Sequence, residues 1–456
     1  MEDRSHRTAF KTVIQFAAVA LGLMAWPSGY VQAVGIEVAS PWDSANGKHV
    51  SFPEVKEPLA ALGQKLFYDP ILSGNKNISC GTCHNHDLAS ADGQSLGVGE
   101  GGEGLGKDRV FRPGLHMARV PRSAPSLFNL GADGVKRLFH DGRLEIDDFY
   151  ANGFVSPATD DLPTGLTSLT AAQAMFPVTS FTEMAGDPEE NEVAAASLDD
   201  MTDGEMGEVW RLLTARIVAI DAYEPAIADA YPDLDLKDLT YVHLANAIGE
   251  FINGEWRTVD SPFDRDELSA EARIGRDLFF GRANCSSCHS GALFTDQEFH
   301  ALGIPPIGPG AQRKFEQVTR DVGRMRFTND LADAYAFRTP SLRNVALTAP
   351  YGHNGAYATL EGIIRHHARP VEMLAAWTSD EVRLPEVNGL IRSDYAVLDN
   401  EREMARLQAA ITIEPMDLSD EDIDALVAFL ETLTDEDGVN GRLGKPDTVP
   451  SGLPVD

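Results

Sequence analysis

The sequence predicts a mainly helical protein with two domains and long loops between the helices. Apolar residues recur at helical spacing along the chain, and no stretch sustains the apolar–polar alternation of a half-buried β-strand. A local repeat supports two domains: residues 62–68 and 274–280 share an apolar pattern, and each leads through a short loop into the same short motif. We therefore expect the two domains to be related by internal duplication.

The helical segments can be followed in chain order. Helical periodicity covers residues 208–230 and 239–252, and a last amphipathic helix covers residues 423–430 with Ser419 as its N-cap. The sequence Asp260-Ser261-Pro262 predicts a domain boundary there.

This boundary divides residues 34–258 from residues 259–456. Each of these domains contains one glycine-rich stretch without periodicity, residues 91–115 and residues 303–312. We expect both stretches to be surface loops.

Composition limits the class of partner. The chain has 456 residues, 43% of them hydrophobic, which is enough for two or three domains. Its net charge of −32 would repel nucleic acid and anionic membranes and would attract a basic protein. The alternative is that the acidity only keeps the protein soluble.

Residues 1–33 have the pattern of an export signal. Three basic residues precede a short apolar run at 13–24, and small residues at 31–33 offer a cleavage site. The run is short for a membrane span, so we expect a cleaved signal, with an uncleaved anchor as the alternative.

Four cysteines decide the class of protein. They lie in two motifs of the same form, Cys80-Gly81-Thr82-Cys83-His84 and Cys285-Ser286-Ser287-Cys288-His289. This is the attachment motif of c-type haem, in which two thiols add to the vinyl groups and the histidine ligates the iron. A redox-active thiol pair, a disulfide or a zinc site would not require the histidine. We therefore predict two covalent haems in two cytochrome c-like helical domains.

Several further segments accompany the haem motifs. They are residues 62–69, Ala124-Pro125-Ser126-Leu127, residues 138–143, residues 173–186, residues 285–303, Thr339-Pro340-Ser341-Leu342-Arg343-Asn344 and Ala349-Pro350-Tyr351-Gly352-His353-Asn354-Gly355. With these segments the chain resembles, over about residues 55–435, the bacterial di-haem cytochrome c peroxidase family, which includes the MauG-type enzymes.

The resemblance implies a periplasmic enzyme that reduces hydrogen peroxide with electrons from a small redox protein of the cytochrome c or cupredoxin type. One alternative is a MauG-like oxidase that modifies side chains of a partner protein. A second is a non-enzymatic electron carrier with two haems.

The family's roles can be carried over by position. In the family the first haem reacts with peroxide, which implies His84 as its iron ligand, and the second haem, with His289, relays electrons. Gln173 and Glu183 match the family's distal pocket. Cleavage of the O–O bond needs a group that moves a proton from the near to the leaving oxygen, which Glu183 would do while Gln173 orients peroxide. The alternative is that both residues lie at a solvated helix end.

Two positions depart from the family pattern around the first haem. Residues 87–115 contain no histidine, whereas many relatives have one there that blocks the iron. His86 is too close to His84 to reach the opposite haem face, which leaves His116 as the remaining candidate. We therefore expect an open first haem. His140 replaces a tryptophan that lies between the haems in relatives, and histidine is a poorer one-electron relay.

The third departure concerns the distal ligand of the second haem. At the position where relatives have methionine or tyrosine, this chain has His367. Adjacent helical residues point about 100° apart, so His366 and His367 cannot both ligate one iron. We favour His367, with His366 and Met373 as alternatives, or both histidines facing solvent.

Further cofactor contacts are expected in the second half of the chain. Arg338 and Arg343 are predicted to pair with haem propionates. The resemblance also implies a calcium ion near Thr348 and Pro350, where Ser123 replaces the usual asparagine.

Overall fold

The computed structural model describes residues 50–112, 118–197, 206–312, 316, 318–385 and 394–456. The predicted export signal, residues 1–33, and His116 lie outside these residues.

The described residues are mainly helical, as predicted. Their α-helices are α1 (Glu57–Tyr68), α2 (Cys80–Cys83), α3 (Leu169–Gln173), α4 (Glu192–Ala196), α5 (Met206–Val218), α6 (Glu224–Ala230), α7 (Tyr241–Glu255), α8 (Ala270–Phe280), α9 (Met325–Thr328), α10 (Leu360–Ala368), α11 (Pro370–Ala376), α12 (Glu401–Ala409) and α13 (Asp420–Glu431). A π-helical turn covers Phe181–Ala185.

The strands are short and pair in antiparallel ladders. They are β1 (Gly102–Glu103), β2 (Val110–Phe111), β3 (Arg137–Leu138), β4 (Leu144–Ile146), β5 (Phe154–Val155), β6 (Phe299–His300) and β7 (Phe337–Arg338). β1 pairs with β2, β4 lies between β3 and β5, and β6 pairs with β7, where Phe299 is opposite Arg338.

The first core forms where α1 crosses α7. Apolar residues spaced three and four apart, among them Leu62 and Leu66, line the buried face of α1. Pro70 follows the helix and prevents it from continuing. The two backbones meet at Gly63, where a Cβ would lie 1.9 Å from the carbonyl oxygen of Ala247.

The second core repeats this crossing with α8 and α13. At Gly275 a Cβ would lie 1.8 Å from the carbonyl oxygen of Ala425. Ser269 caps α8, and Ser419 caps α13 as predicted, its side chain accepting from the backbone N–H of Asp422. The common origin of the two cores stays a prediction.

The helical stretch 208–230 is two helices rather than one. α5 ends at Val218, and a 3-10 turn at Asp221–Tyr223 precedes α6. Pro225 lies in the first turn of α6, where its missing N–H costs nothing, but it could not lie inside a longer helix.

The prediction of two surface loops is wrong for much of both stretches. Residues 91–100 are buried throughout, and most of residues 303–308 are buried as well. The two stretches contact each other, because a Cβ at Gly308 would lie 2.1 Å from Cδ1 of Leu96. Buried side chains satisfy the loop carbonyls: Gln94 donates to the carbonyls of Gly106 and Arg109.

The C-terminal stretch packs on the first core rather than the second. Val449 is buried there, and Ser451 donates to the buried carboxylate of Asp69 at 2.6 Å. Asp456 accepts a hydrogen bond from Thr82, within the first haem motif.

None of the helices in the described ranges combines the length and the apolar character that a membrane span requires.

Candidate functional site

A cavity of about 750 Å³ surrounds the second haem motif. Cys285, Cys288 and His289 line it, and so does His367 from the last turn of α10. The imidazole rings of His289 and His367 have their centres 6.5 Å apart, with planes inclined at 55°.

This spacing fits a metal ion between the two rings. Imidazole nitrogens bind metals at about 2.0 Å, so two rings on opposite sides of one iron have their centres about 6.3 Å apart. The observed 6.5 Å is close to that value.

The hydrogen bonds of the candidate ligands fix which nitrogen is available. The Nδ1 atoms of His84, His289 and His367 lie 3.1, 3.2 and 2.8 Å from the carbonyl oxygens of Ser90, Phe294 and Ile363. A carbonyl oxygen only accepts, so each Nδ1 carries the proton and each Nε2 keeps its lone pair. All three histidines are therefore oriented as Nε2 ligands.

The alternatives to His367 lie elsewhere. His366 is fully buried, with Nδ1 2.8 Å from the hydroxyl of Tyr357 and Nε2 2.8 Å from the carbonyl oxygen of Leu302. Both of its nitrogens are thus occupied. Met373 packs against the second core and does not line the described cavity.

The two predicted propionate partners differ in their surroundings. Arg338 lines the cavity and donates to the carbonyl of Phe139 at 3.1 Å, but no described carboxylate lies within 4.0 Å. Burial lowers its pKa to about 10. Arg343 is paired in bidentate fashion with Asp264 at 2.7 and 2.9 Å. A half-buried cation without an acid partner fits a propionate, whereas Arg343 already has its carboxylate.

The predicted calcium residues border the same cavity. Ser123, Thr348 and Pro350 all line it, and the carbonyl oxygen of Ser123 accepts from Nε2 of His140 at 3.0 Å. The calcium ion stays a prediction.

His140, at the position of the family tryptophan, lies in a buried polar network. Burial lowers its pKa to about 4, so the ring is neutral near pH 7. Nearby, His353 stacks on Phe337 with ring centres 3.5 Å apart, and Arg122 pairs with Asp141 at 2.7 Å.

The first haem motif forms the short helix α2. Ser79 and Thr82 form a capping box at its start, which places Cys80 and Cys83 one turn apart. Burial raises the pKa of both thiols to about 12.

Two tyrosines mark space for a bound group beside this motif. The hydroxyls of Tyr68 and Tyr241 are buried and have no hydrogen-bond partner among the described residues. Burial raises the pKa of both phenols, with a further contribution from Cys80. Orphaned buried hydroxyls beside the attachment cysteines fit a cofactor that supplies their partners.

The predicted distal residues lie on two short helical elements that a 3-10 turn at Pro177–Thr179 separates. Gln173 ends α3, and its side-chain amide has no hydrogen-bond partner among the described residues. Glu183 is central in the π-helical turn. Burial of the Cys83 thiol is the main cause of its raised pKa, and the charge of Glu183 raises that pKa further. Glu183 thus acts electrostatically on Cys83, the second cysteine of the first haem motif.

The turn that holds Glu183 is clamped from both sides by glycines. A Cβ at Gly99 would lie 2.4 Å from the carbonyl oxygen of Glu183, and one at Gly74 would lie 1.8 Å from that of Ala185. The backbone N–H of Glu100 also donates to the carbonyl of Glu183 at 2.8 Å. Sequence reasoning missed these contacts, for which the only signal was the glycine content of the loop.

Comparison with known proteins identifies the family. A family model for di-haem cytochrome c peroxidases matches residues 57–272. The MauG protein of Paracoccus denitrificans is 30% identical over 411 residues, which cover 83% of this chain and 89% of that protein. The chain belongs to the di-haem cytochrome c peroxidase family. Membership makes it an oxidoreductase and implies two c-type haems, which both motifs fit.

Relatives within the family carry two kinds of name. MauG of Methylorubrum extorquens is 28% identical over 82% of this chain and 78% of its own length. The cytochrome c551 peroxidase of Pseudomonas aeruginosa is 29% identical over 66% of this chain and 69% of its own length. A crystal structure of a MauG-like protein associated with microbial copper homeostasis has a TM-score of 0.56 and 26% identity, covering 86% of this chain and 94% of that one.

Proposed function

We propose that this member of the family is a periplasmic peroxidase that reduces hydrogen peroxide at the haem of the first motif. Electrons enter from a small redox protein through the second haem, held by Cys285, Cys288, His289 and His367. The observation that carries the proposal is the π-helical turn that holds Glu183 between Gly74 and Gly99. The charge of Glu183 contributes to the raised pKa of the Cys83 thiol, and the amide of Gln173 has no partner among the described residues.

Each side chain of the first site has a distinct part in the reaction. The bound haem supplies the iron at which the O–O bond is broken. Glu183 accepts the proton from the peroxide oxygen nearer the iron and delivers it to the leaving oxygen. Gln173 donates a hydrogen bond that orients peroxide, and the carbonyl of Ser90 keeps Nε2 of His84 directed at the metal.

At the second site, His289 and His367, whose ring centres are 6.5 Å apart, would both hold the iron. Two such ligands would leave peroxide no open position there. Arg338 would hold a propionate with its uncompensated charge. The net charge of −32 favours a donor with a basic docking surface.

We further infer that the two haem domains are residues 34–258 and 259–456 and arose by duplication. Support comes from the two matching helix crossings, at Gly63 and at Gly275.

A MauG-like oxidase is the second candidate. The two MauG relatives align over 82% and 83% of this chain, against 66% for the Pseudomonas peroxidase. No histidine occurs in the described part of the loop after the first motif, residues 87–112, as an open first haem would require. A protein substrate would then replace the electron donor.

Stopped-flow mixing of the oxidised protein with hydrogen peroxide tests the roles of Glu183 and Gln173. Glu183→Gln should slow peroxide-dependent haem oxidation at least about a hundredfold, because it removes general acid–base assistance. Gln173→Ala should cost about tenfold, the equivalent of one neutral hydrogen bond. Glu189→Gln, at an exposed position on the following turn, serves as the matched control and should react like wild type.

Three outcomes separate the hypotheses. A Glu183→Gln variant as fast as wild type would contradict the distal assignment. A wild-type protein inert to peroxide would favour the electron carrier. Reaction with peroxide but no oxidation of a reduced cytochrome c or cupredoxin would favour the MauG-like oxidase.

A further inference from the structure

Tyr335 borders the second haem cavity and has a proton acceptor of its own. Its side chain lines the same cavity as His289 and His367. Its hydroxyl donates to the carboxylate of Glu403, whose exposed fraction is 2%.

We propose that Tyr335 is a redox-active residue that is oxidised through the second haem site and passes its phenolic proton to Glu403. This inference rests on the proposed reaction with peroxide, which supplies the oxidant.

Proton transfer is the step that the local geometry assists. An oxidised phenol is a strong acid. A tyrosine is therefore oxidised readily only when a base already accepts a hydrogen bond from its O–H group and can take up the proton. Arg320, which also lines the cavity, donates to Glu403 at 3.2 Å, and Arg406 donates at 3.1 Å. Glu403 is thereby fixed in place to accept the proton from Tyr335.

The surroundings of Tyr335 also suit a radical that must persist. The side chain is 7% exposed and packs with Val322, Met325 and Leu407 in a small apolar cluster. Its backbone has φ 58°, a left-handed conformation that is rare for aromatic residues and held by the surrounding structure. Burial, with Glu403, raises the phenol pKa to about 12, so the proton stays on the oxygen until oxidation.

Tyr351 offers an internal comparison. It is the other tyrosine among the described residues that line the cavity, but its hydroxyl donates to the backbone carbonyl of Val345 at 3.1 Å. A backbone carbonyl does not take up a proton near neutral pH. Tyr351 therefore shares the position of Tyr335 without its proton acceptor.

The electron and proton balance is complete with peroxide as the oxidant. Reduction of one hydrogen peroxide to two waters takes up two electrons and two protons. Tyr335 supplies one of these electrons towards the second haem site while its O–H bond breaks and Glu403 gains the proton. The donor protein supplies the other electron, and solvent water supplies the two protons. The products are a neutral tyrosyl radical and a protonated carboxyl group. One electron from a donor protein and the return of the proton restore the phenol.

This site also compensates for the change at His140. At His140, where the family resemblance implies a tryptophan, the neutral imidazole is a poorer one-electron relay. An oxidisable side chain beside the second haem provides another place for the oxidising equivalent, from which a donor or a protein substrate can be oxidised.

Freeze-quench electron paramagnetic resonance of the holoprotein mixed with hydrogen peroxide tests the proposal. Ring-deuterated tyrosine identifies the radical by its altered hyperfine pattern. Tyr335→Phe should lower the tyrosyl signal at least fivefold, and Tyr351→Phe should leave it unchanged. Glu403→Gln should slow radical formation at least tenfold. A signal retained in Tyr335→Phe, or lost in Tyr351→Phe or Tyr357→Phe instead, would overturn the assignment.

Haem absorbance recorded in the same samples separates this inference from the proposed function. Haem oxidation without a Tyr335-dependent radical refutes the inference alone. If the haems do not react with peroxide, the proposed function fails. A photogenerated ruthenium(III) complex then replaces peroxide as the oxidant, and the tyrosyl signal is measured again in wild type and in Tyr335→Phe. Loss of the tyrosyl signal in Tyr335→Phe under that oxidant would support the residue, and an unchanged signal would refute it.

Discussion

The adjacent residues His366 and His367 should respond to substitution in opposite ways. His367→Ala removes a candidate iron ligand and one hydrogen bond to the carbonyl of Ile363. The second haem should change from low spin to high spin. His366→Ala leaves the ligand set intact but leaves the hydroxyl of Tyr357 and the carbonyl of Leu302 without a partner.

The cost of His366→Ala follows from these two bonds. Each net hydrogen bond contributes about 1 kcal/mol, and each buried group left unpaired costs about 1–3 kcal/mol. A small cavity adds to this, so the free energy of unfolding should fall by about 3–5 kcal/mol. The haem spectrum should stay low spin.

Electron paramagnetic resonance of the oxidised holoprotein measures the spin state, and guanidinium unfolding measures stability. Tyr357→Phe is the matched control: it removes one partner of His366 and should destabilise by about 1–3 kcal/mol without a spin change. A high-spin second haem in His366→Ala, or a low-spin one in His367→Ala, would refute the ligand assignment.

Three further predictions concern attachment, charge and packing. The mature protein should carry two haem masses that survive denaturation, and joint replacement of Cys285 and Cys288 by alanine should leave one by mass spectrometry. Burial raises the pKa of Asp92 to about 6, above its unfolded 3.8, so its ionisation destabilises the fold as pH rises from about 4 to 6. Asp92→Asn should therefore match wild type in unfolding free energy near pH 4 and exceed it by about 3 kcal/mol at pH 7; an equal difference at both pH values would contradict this. Gly275→Ala should destabilise by about 3 kcal/mol or more, because its Cβ would collide with a carbonyl of α13. Gly207→Ala, at a position with open space around it, should raise the free energy of unfolding by about 0.5 kcal/mol. Similar changes in melting temperature for the two variants would refute the close helix crossing at Gly275.

Features that depend on local chemistry could be predicted from the sequence. The haem motifs are recognisable because thioether attachment needs both thiols and the histidine within five residues. The helix around residues 423–430 is recognisable because its apolar spacing and the cap at Ser419 lie within one segment. The break within residues 208–230 was missed although Pro225 marks it.

The buried loops could not be predicted, because their partners are distant in sequence. Ser95 donates through its backbone N–H to the carbonyl of Arg383 at 3.0 Å and through its hydroxyl to that of Gly355 at 2.7 Å. In sequence, residues 91–100 have the glycine content and missing periodicity of a surface loop. Only the fold shows that the second half of the chain covers them.

The choice between His366 and His367 likewise depended on backbone groups that no sequence pattern records. Every residue has a carbonyl, so the sequence does not show that Ser90, Phe294 and Ile363 direct their carbonyls at three imidazoles. These three bonds fix the tautomers and direct Nε2 of each ring to the space where a haem would bind. Side-chain spacing predicts which residue types would bind the haems, and backbone geometry shows which of their nitrogens are available.

The two haem motifs have different surroundings, although a helix crossing of the same kind lies in each of the two cores. At the first site the chain adds a clamped turn with Glu183 and an unpartnered amide at Gln173, which are groups that move protons and orient a small substrate. At the second it adds His367, whose ring centre lies 6.5 Å from that of His289. Two such ligands would leave the iron no open position for peroxide, which suits the proposed electron transfer. The segments that make this difference lie after each haem motif, outside the crossing helices. Substitutions in the π-helical turn should therefore change peroxide chemistry without altering the second haem, and substitutions in α10 should do the reverse.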